Sequence, residues 1–186
     1  METGPILSAH GGYRKLEAYK LAEIIQDATV VFCARLIDTR SRTTDQMIQA
    51  ARSGKQNIAE GSMASGTSKK TELTLYSVAR ASLEELLIDY HDYIRQNAVS
   101  QWEKDNPKAV YIRKLAYKQD KTFEDYRQYL EAKTPETAAN TVIVVIHQAS
   151  FLLDRLKSKV ERDFIASGGI SEKMHAARIA ARNRPG

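Results

Sequence analysis

The sequence predicts an all-α protein, an up-and-down four-helix bundle with a helical insert between helices three and four and a short C-terminal helical tail. Three observations predict this fold class. Apolar residues recur at spacings of three and four in four long stretches, helix-capping residues precede most of these stretches, and no stretch alternates as a strand does. The length of 186 residues suits one domain.

The first predicted helix is defined by Ile24, Ala28 and Val31, which lie on one helical face and extend it to about Asp38. It follows a segment, residues 1–12, that contains paired glycines and has no periodicity. We therefore expect residues 1–12 to be a flexible lead-in and residues 13–168 to form the bundle domain.

The second predicted helix begins at residues 43–46, where a threonine hydroxyl and a glutamine three residues later resemble a capping box. Small residues at positions 50, 51, 53 and 54 would let another helix approach closely. Gly61 is the predicted stop of this helix.

The third predicted helix begins at Ser68, a residue type favoured at the N-cap, and is the most regular of the four. Its apolar stripe advances in steps of three and four, as the seam of a helical bundle does. The stripe consists of Leu73, Tyr76, Arg80, Leu83, Leu87, Tyr90 and Ile94, of which only Arg80 is charged.

The segment 98–133 changes to tyrosines and mixed charges, and we expect two short amphipathic helices in this insert, one of them starting at Asn106 and Pro107. A threonine and a proline at positions 134–135 start the fourth long helix, which two glycines at 168–169 end. Residues 169–186 form a basic C-terminal tail with helical character.

Composition favours an anionic partner, because the formal net charge is +5 and the pI is about 9.2. Cys33 is the only cysteine, so an internal disulfide is excluded and a reducing cytoplasm is the expected compartment. No apolar stretch is long enough to cross a membrane, and the N-terminus lacks the pattern of a secretory signal. We expect a cytoplasmic protein without membrane contact.

Clusters of lysine and arginine are the candidate nucleic-acid contacts, although solvated surface charge is the usual explanation for any single cluster. The candidates are Arg40, Arg42, Lys69, Lys70, Lys173, Arg178 and Arg182.

A polar network is predicted between helices two and three, because a charge in an apolar seam needs a partner. Its members are Arg52, Asn57, Glu60, Arg80 and Glu84. Such networks commonly fix helix register, so a structural role is favoured over ligand binding.

A catalytic or metal centre is not predicted. The four histidines are scattered, and the single Glu-x-x-His pattern at Glu172 and His175 lacks the second copy that di-iron bundles require. The glycine-containing segment 61–69 lacks the Gly-Lys-Ser/Thr of a phosphate-binding loop. We therefore expect no enzyme activity, no metal and no cofactor.

Two segments resemble a known family. They are residues 46–61 (QMIQAARSGKQNIAEG) and 78–86 (VARASLEEL), and residues 13–16 (YRKL) fit the same pattern. The chain resembles the bacterial four-helix bundle proteins related to those encoded in intervening sequences of 23S ribosomal RNA, in the variety with a C-terminal suffix region. It is also similar to the accessory variability protein of diversity-generating retroelements.

The resemblance implies an up-and-down bundle that assembles as a ring-like homopentamer and that binds RNA and a reverse transcriptase. It also implies that the five network residues are a family signature.

The primary functional hypothesis is therefore a non-enzymatic homo-oligomer that binds structured RNA or DNA. The alternative is a protein-interaction adaptor that uses the tyrosine-rich insert. An enzyme or metal protein using His175 or the Arg80 network ranks third.

Overall fold

The computed structural model describes residues 12–131 and 133–182, which contain seven α-helices, one short 3₁₀ turn and no strand. The all-α class is confirmed. The 3₁₀ turn is Tyr13–Lys15, and the helices are α1 (Glu17–Leu36), α2 (Arg42–Ala64), α3 (Lys69–Gln96), α4 (Pro107–Leu115), α5 (Glu124–Glu131), α6 (Pro135–Ser167) and α7 (Ile170–Arg182). Within the predicted lead-in, residues 1–11 lie outside the described residues.

Side-chain caps begin α3, α4 and α6 where the sequence predicts them. Ser68 accepts a hydrogen bond from the Thr71 amide at 3.1 Å, and Asn106 accepts one from the Lys108 amide at 2.9 Å. Thr134 caps α6 in the same way. A cap of this kind satisfies one of the amides that the first helical turn leaves without a partner.

The boundaries of α2 differ from the prediction at both ends. The cap is Ser41, whose hydroxyl accepts from the Thr43 amide at 3.2 Å, so the predicted capping box lies inside the helix. Gly61 does not end α2, which continues to Ala64. Gly61 is instead a close-approach residue, because a Cβ there would lie 2.6 Å from the Tyr76 ring.

Each of the four long helices packs against two of the others. α1 contacts α2 and α6, and α3 also contacts α2 and α6. An aromatic cluster lies in the core toward the α1–α2 turn: the Phe32 ring lies 4.7 Å from the Tyr90 ring and 4.9 Å from the Tyr93 ring, between centroids. The buried Tyr90 hydroxyl donates to Thr29 at 3.2 Å, so its polar end is satisfied.

Chain direction alternates around this core. Short turns at 37–41 and 65–68 join α1 to α2 and α2 to α3, which makes these neighbours antiparallel. The Arg35 guanidinium, near the end of α1, donates to the carbonyl oxygens of Leu130 and Lys133, just before α6 begins. The start of α1 therefore lies at the same end of the molecule as the α2–α3 turn and the end of α6.

The insert lies on the side formed by α1 and α6. α4 packs on α6, and α5 packs on both α1 and α6. Asn140 of α6 donates to the Ser100 carbonyl at 2.8 Å and accepts from the Trp102 amide at 2.7 Å, which fixes the start of the insert. The predicted pair of short helices in this segment is present.

Candidate nucleic-acid interface

The predicted basic clusters lie at opposite ends of the four long helices. Arg40 is in the turn after α1 and Arg42 is the first residue of α2, whereas Lys69 and Lys70 are the first residues of α3. The 23 residues of α2 separate the two turns. At 1.5 Å per residue this separation is about 35 Å, so the two pairs do not form one patch.

The end that carries Arg40 and Arg42 is partly acidic. The Arg40 guanidinium lies 3.8 Å from the Asp38 carboxylate. A small pocket of about 270 Å³ at this end is lined by Asp38 together with Asp89 and Asp92. Arg40 is therefore already paired, which leaves Arg42 as the candidate cation of this end that has no carboxylate partner among the described residues.

The opposite end carries cations of unequal availability. The Lys69 ammonium lies 2.8 Å from the Glu72 carboxylate, whose side chain is only 5% exposed. Lys69 therefore neutralises a buried charge. Lys70 is exposed and has no ion-pair partner within residues 12–131 and 133–182.

Arg14 and Lys15 belong to the same end, although the sequence interpretation used them only as part of a family pattern. They lie in the 3₁₀ turn that packs against α1 and α2, and both are exposed. The Arg14 guanidinium lies 5.5 Å from the centroid of the Tyr13 ring, which holds it without neutralising it. The adjacent basic pair before the first helix is the sequence signal that identifies them.

The basic tail begins at this end as well, because α7 follows α6 after Gly168, which has a φ of 65°. Glu172 accepts a hydrogen bond from the Gly169 amide at 2.7 Å and so caps the start of α7. Arg178 and Arg182 are exposed and, at a spacing of four, share a face of α7. Lys173 lies in the same helix.

The predicted network around Arg80 joins α3 to α6 instead of α2. Arg80 donates to Glu84 at 2.7 Å and lies 3.4 Å from the carboxylate of Asp154 in α6. The Glu84 hydrogen bond raises the pKa of Arg80. The Arg80 side chain is 30% exposed, so it lies at the edge of the apolar seam, and the neighbouring Ala79 occupies the core.

The predicted network residues of α2 do not reach Arg80. Asn57 donates to the Ser53 carbonyl at 2.9 Å and to its hydroxyl at 3.2 Å, and Ser53 lies 2.9 Å from Ser82 of α3. Arg52 and Glu60 are exposed and have no ion-pair partner in the described part of the chain. The polar link between α2 and α3 is therefore the hydrogen bond between the hydroxyls of Ser53 and Ser82. The sequence did not predict this link.

The histidines form no metal site in the part of the chain that the structure describes, where no group of three or more potential ligands comes together. His147 of α6 is near His91 of α3. The pKa of His147 is lowered, mainly because packing partly removes its ring from water. The nearby His91 and Arg80 lower this pKa further, whereas Glu84 raises it. His10 lies outside the described residues, and His175 is exposed in α7.

A cleft of about 950 Å³ lies between the insert and α6. Its wall includes the chain's single tryptophan, Trp102, which is 8% exposed, and Phe151, which is 61% exposed. Glu17 at the start of α1 and Tyr117 after α4 line it as well. None of these residues was a predicted site residue, because residues far apart in sequence form the cleft.

No helix within residues 12–131 and 133–182 is long and apolar enough to cross a membrane. In comparisons with known proteins, no family model, no curated protein and no solved structure matches the chain. The resemblance to the intervening-sequence family therefore stays a prediction.

Proposed function

We propose that the protein binds the phosphate backbone of structured RNA or DNA, without catalysis, through one end of an up-and-down four-helix bundle formed by α1, α2, α3 and α6. The closed cycle of helix contacts and the alternating chain direction support the bundle. We call the proposed binding surface the basic end. It consists of Arg14, Lys15 and Lys70, and α7, which follows α6 from this end, would add Arg178 and Arg182.

The observation that carries the proposal is the availability of these cations. All five are exposed, and none has a carboxylate partner among the described residues. Lysine or arginine that is already paired gains little from a phosphate, because binding must first break the existing pair. Unpaired cations at one end release counterions from the nucleic acid when they bind, and this release supplies most of the affinity of sequence-independent binding.

The salt dependence of binding tests the proposal. A plot of log affinity against log salt concentration should have a slope no steeper than about −4.5 for duplex DNA, because each of five phosphate contacts contributes about −0.9. The affinity would then fall roughly 500-fold between about 50 and 200 mM salt. The assay is fluorescence anisotropy with a labelled hairpin RNA and a duplex DNA of equal length. Absence of binding to both probes at low salt contradicts the proposal.

Assembly is part of the proposal, and the family resemblance implies a homopentamer. Val78 and Ile88, exposed on α3, and Val30, exposed on α1, offer apolar surface for contacts between copies. Light scattering after size exclusion distinguishes a monomer of 20.9 kDa from a pentamer of five times that mass. A monomer at all concentrations contradicts assembly while leaving nucleic-acid binding open to its own test.

An adaptor that binds another protein through the insert is the second candidate. Tyr117 is 84% exposed and Tyr111 is 52% exposed. Exposed tyrosines are common anchors of protein interfaces. Deleting the whole insert would remove Tyr126 and Leu130, which are fully buried, so the sharper test is Y111A/Y117A in a nuclease-treated pull-down. Loss of the captured protein favours the adaptor.

A cytoplasmic location completes the proposal. Cys33 is buried and is the only cysteine of the sequence, so no disulfide within the chain calls for an oxidising compartment. Fractionation of the producing cells tests this.

A further inference from the structure

The cleft between the insert and α6 has the size and lining of a small-molecule site. Its volume of about 950 Å³ falls within the range of roughly 300–1,000 Å³ that ligand pockets occupy. Its floor is apolar, with buried Ala109, Ile143 and Val144, and exposed aromatic rings of Phe151 and Tyr117 lie in its wall. Planar apolar surface of this kind suits a flat ring.

Charge in the cleft favours an anion. Among its described lining residues, Lys104, Arg113 and Arg155 have no carboxylate partner, whereas Glu103 is the one acidic residue without a cation. The other two charged lining residues are already paired, Lys118 with Asp125 at 2.5 Å and Glu17 with Lys121. The excess of cations would attract a phosphate group.

Arginine and aromatic side chains adjoin each other in the wall. The Arg155 guanidinium lies 5.9 Å from the centroid of the Phe151 ring. This arrangement places a stacking surface beside a phosphate-binding group, which is the combination that proteins use to bind unpaired nucleotides.

Hydrogen bonds fix several residues of the cleft wall. Gln148 of α6 donates to the Arg113 carbonyl at 3.0 Å, and Arg113 donates to the Lys104 carbonyl. The Trp102 indole donates to Glu136 at 2.6 Å. The cleft is therefore preformed by contacts between the insert and α6, so binding needs little ordering.

We propose that this cleft binds a nucleotide, with its base against Phe151 and its phosphate at Arg155 and Arg113. The occupant is either a free mononucleotide or an unpaired nucleotide of a nucleic-acid strand, since both present the same base and phosphate. The site is distinct from the basic end, but Glu17, which lines the cleft, is only two residues from Lys15. One strand can therefore reach both.

Trp102 provides the assay, because it is the only tryptophan and lies in the cleft wall. The full chain is titrated with AMP, GMP, CMP and UMP, and separately with a short single-stranded oligonucleotide and with inorganic phosphate. We expect saturable quenching by mononucleotides or by the oligonucleotide and none by phosphate. Quenching by the oligonucleotide alone identifies the strand as the source.

F151A is the decisive variant, since a ring that is 61% exposed can be removed without unfolding the protein. Loss of stacking should weaken binding by about 5- to 150-fold. The matched control is F164A, an exposed phenylalanine on the same helix outside the cleft. R155Q should lower the affinity for the nucleotide and make that affinity less dependent on salt, because one cation that contacts the phosphate is lost.

Two outcomes overturn the proposal: no saturable quenching by any nucleotide to about 1 mM, or equal effects of F151A and F164A. Variants of the basic end leave mononucleotide quenching unchanged, so failure at one site is distinguishable from failure at the other.

Discussion

Replacing Gly61 with alanine tests the close approach of α2 and α3. The new Cβ would lie 2.6 Å from Cε1 and 2.7 Å from Cδ1 of Tyr76. Carbon atoms in contact normally lie about 3.5–4.0 Å apart, so the ring must move by about 1 Å. Tyr76 is only 1% exposed, and it cannot move without displacing the surrounding core.

The expected net effect is a destabilisation. Overpacking of a core costs about 1–3 kcal/mol. Alanine is a better helix former than glycine and recovers about 1 kcal/mol. Since the ring is rigid and the clash involves two of its atoms, we expect a net loss of about 1–2 kcal/mol. The melting temperature should fall by about 2–8 °C.

Urea denaturation followed by circular dichroism measures this loss, and a double-mutant cycle assigns its cause. In a Y76L background the clash is absent, so G61A should be neutral or stabilising by up to about 1 kcal/mol. If G61A stabilises the chain that retains Tyr76, the packing argument is refuted.

Three further predictions concern the insert, pH and the thiol. N140A should destabilise the protein by about 1–3 kcal/mol and shift Trp102 emission, because two hydrogen bonds to the insert are lost; unchanged emission contradicts this. Burial raises the pKa of Glu17, but hydrogen bonds from Lys121 and Lys20 outweigh this effect, so the pKa of Glu17 is lowered overall. The ionised Glu17 carboxylate therefore stabilises the fold above about pH 4.3, the pKa of an unperturbed glutamate, and this stability is lost as the pH falls through the lowered pKa. K121Q should flatten that loss in acid denaturation, and an unchanged pH profile counts against the pair. Cys33 should react with a thiol reagent only as fast as the protein unfolds, and rapid labelling of the native chain would contradict its burial.

The sequence predicts the helices well because capping and periodicity are local. Ser68, Asn106 and Thr134 begin helices for reasons contained in four consecutive residues. Gly61 shows the limit of such reasoning. A glycine near the end of a helical pattern resembles a stop, and only the position of Tyr76, on the next helix, reveals its packing role.

The polar partners of Arg80 and the cleft depend on distant residues. Periodicity places Arg80 beside the core, but its partner Asp154 is 74 positions away, so a search among sequence neighbours finds only Glu84. The lining of the cleft likewise combines the start of α1, the insert and α6.

The grouping of the basic residues was, by contrast, available from the sequence. In an up-and-down arrangement the α1–α2 and α2–α3 turns lie at opposite ends, so the predicted clusters at Arg40 and Lys69 belong to different surfaces. The pairing of Lys69 with Glu72, three residues later, is also local. The predicted topology places Lys69 and Lys70 on one surface, and the local ion pair occupies Lys69, so Lys70 is the unpaired cation of that cluster.

The central claim is that one end of the molecule binds nucleic acid, and two double variants that each remove two positive charges test it most directly. We expect R14A/K70A to reduce the steepness of the salt dependence on duplex DNA by about 1.8. R40A/R42A, at the opposite end, should leave that slope unchanged. Equal losses in both variants, or a larger loss in R40A/R42A, would contradict the account.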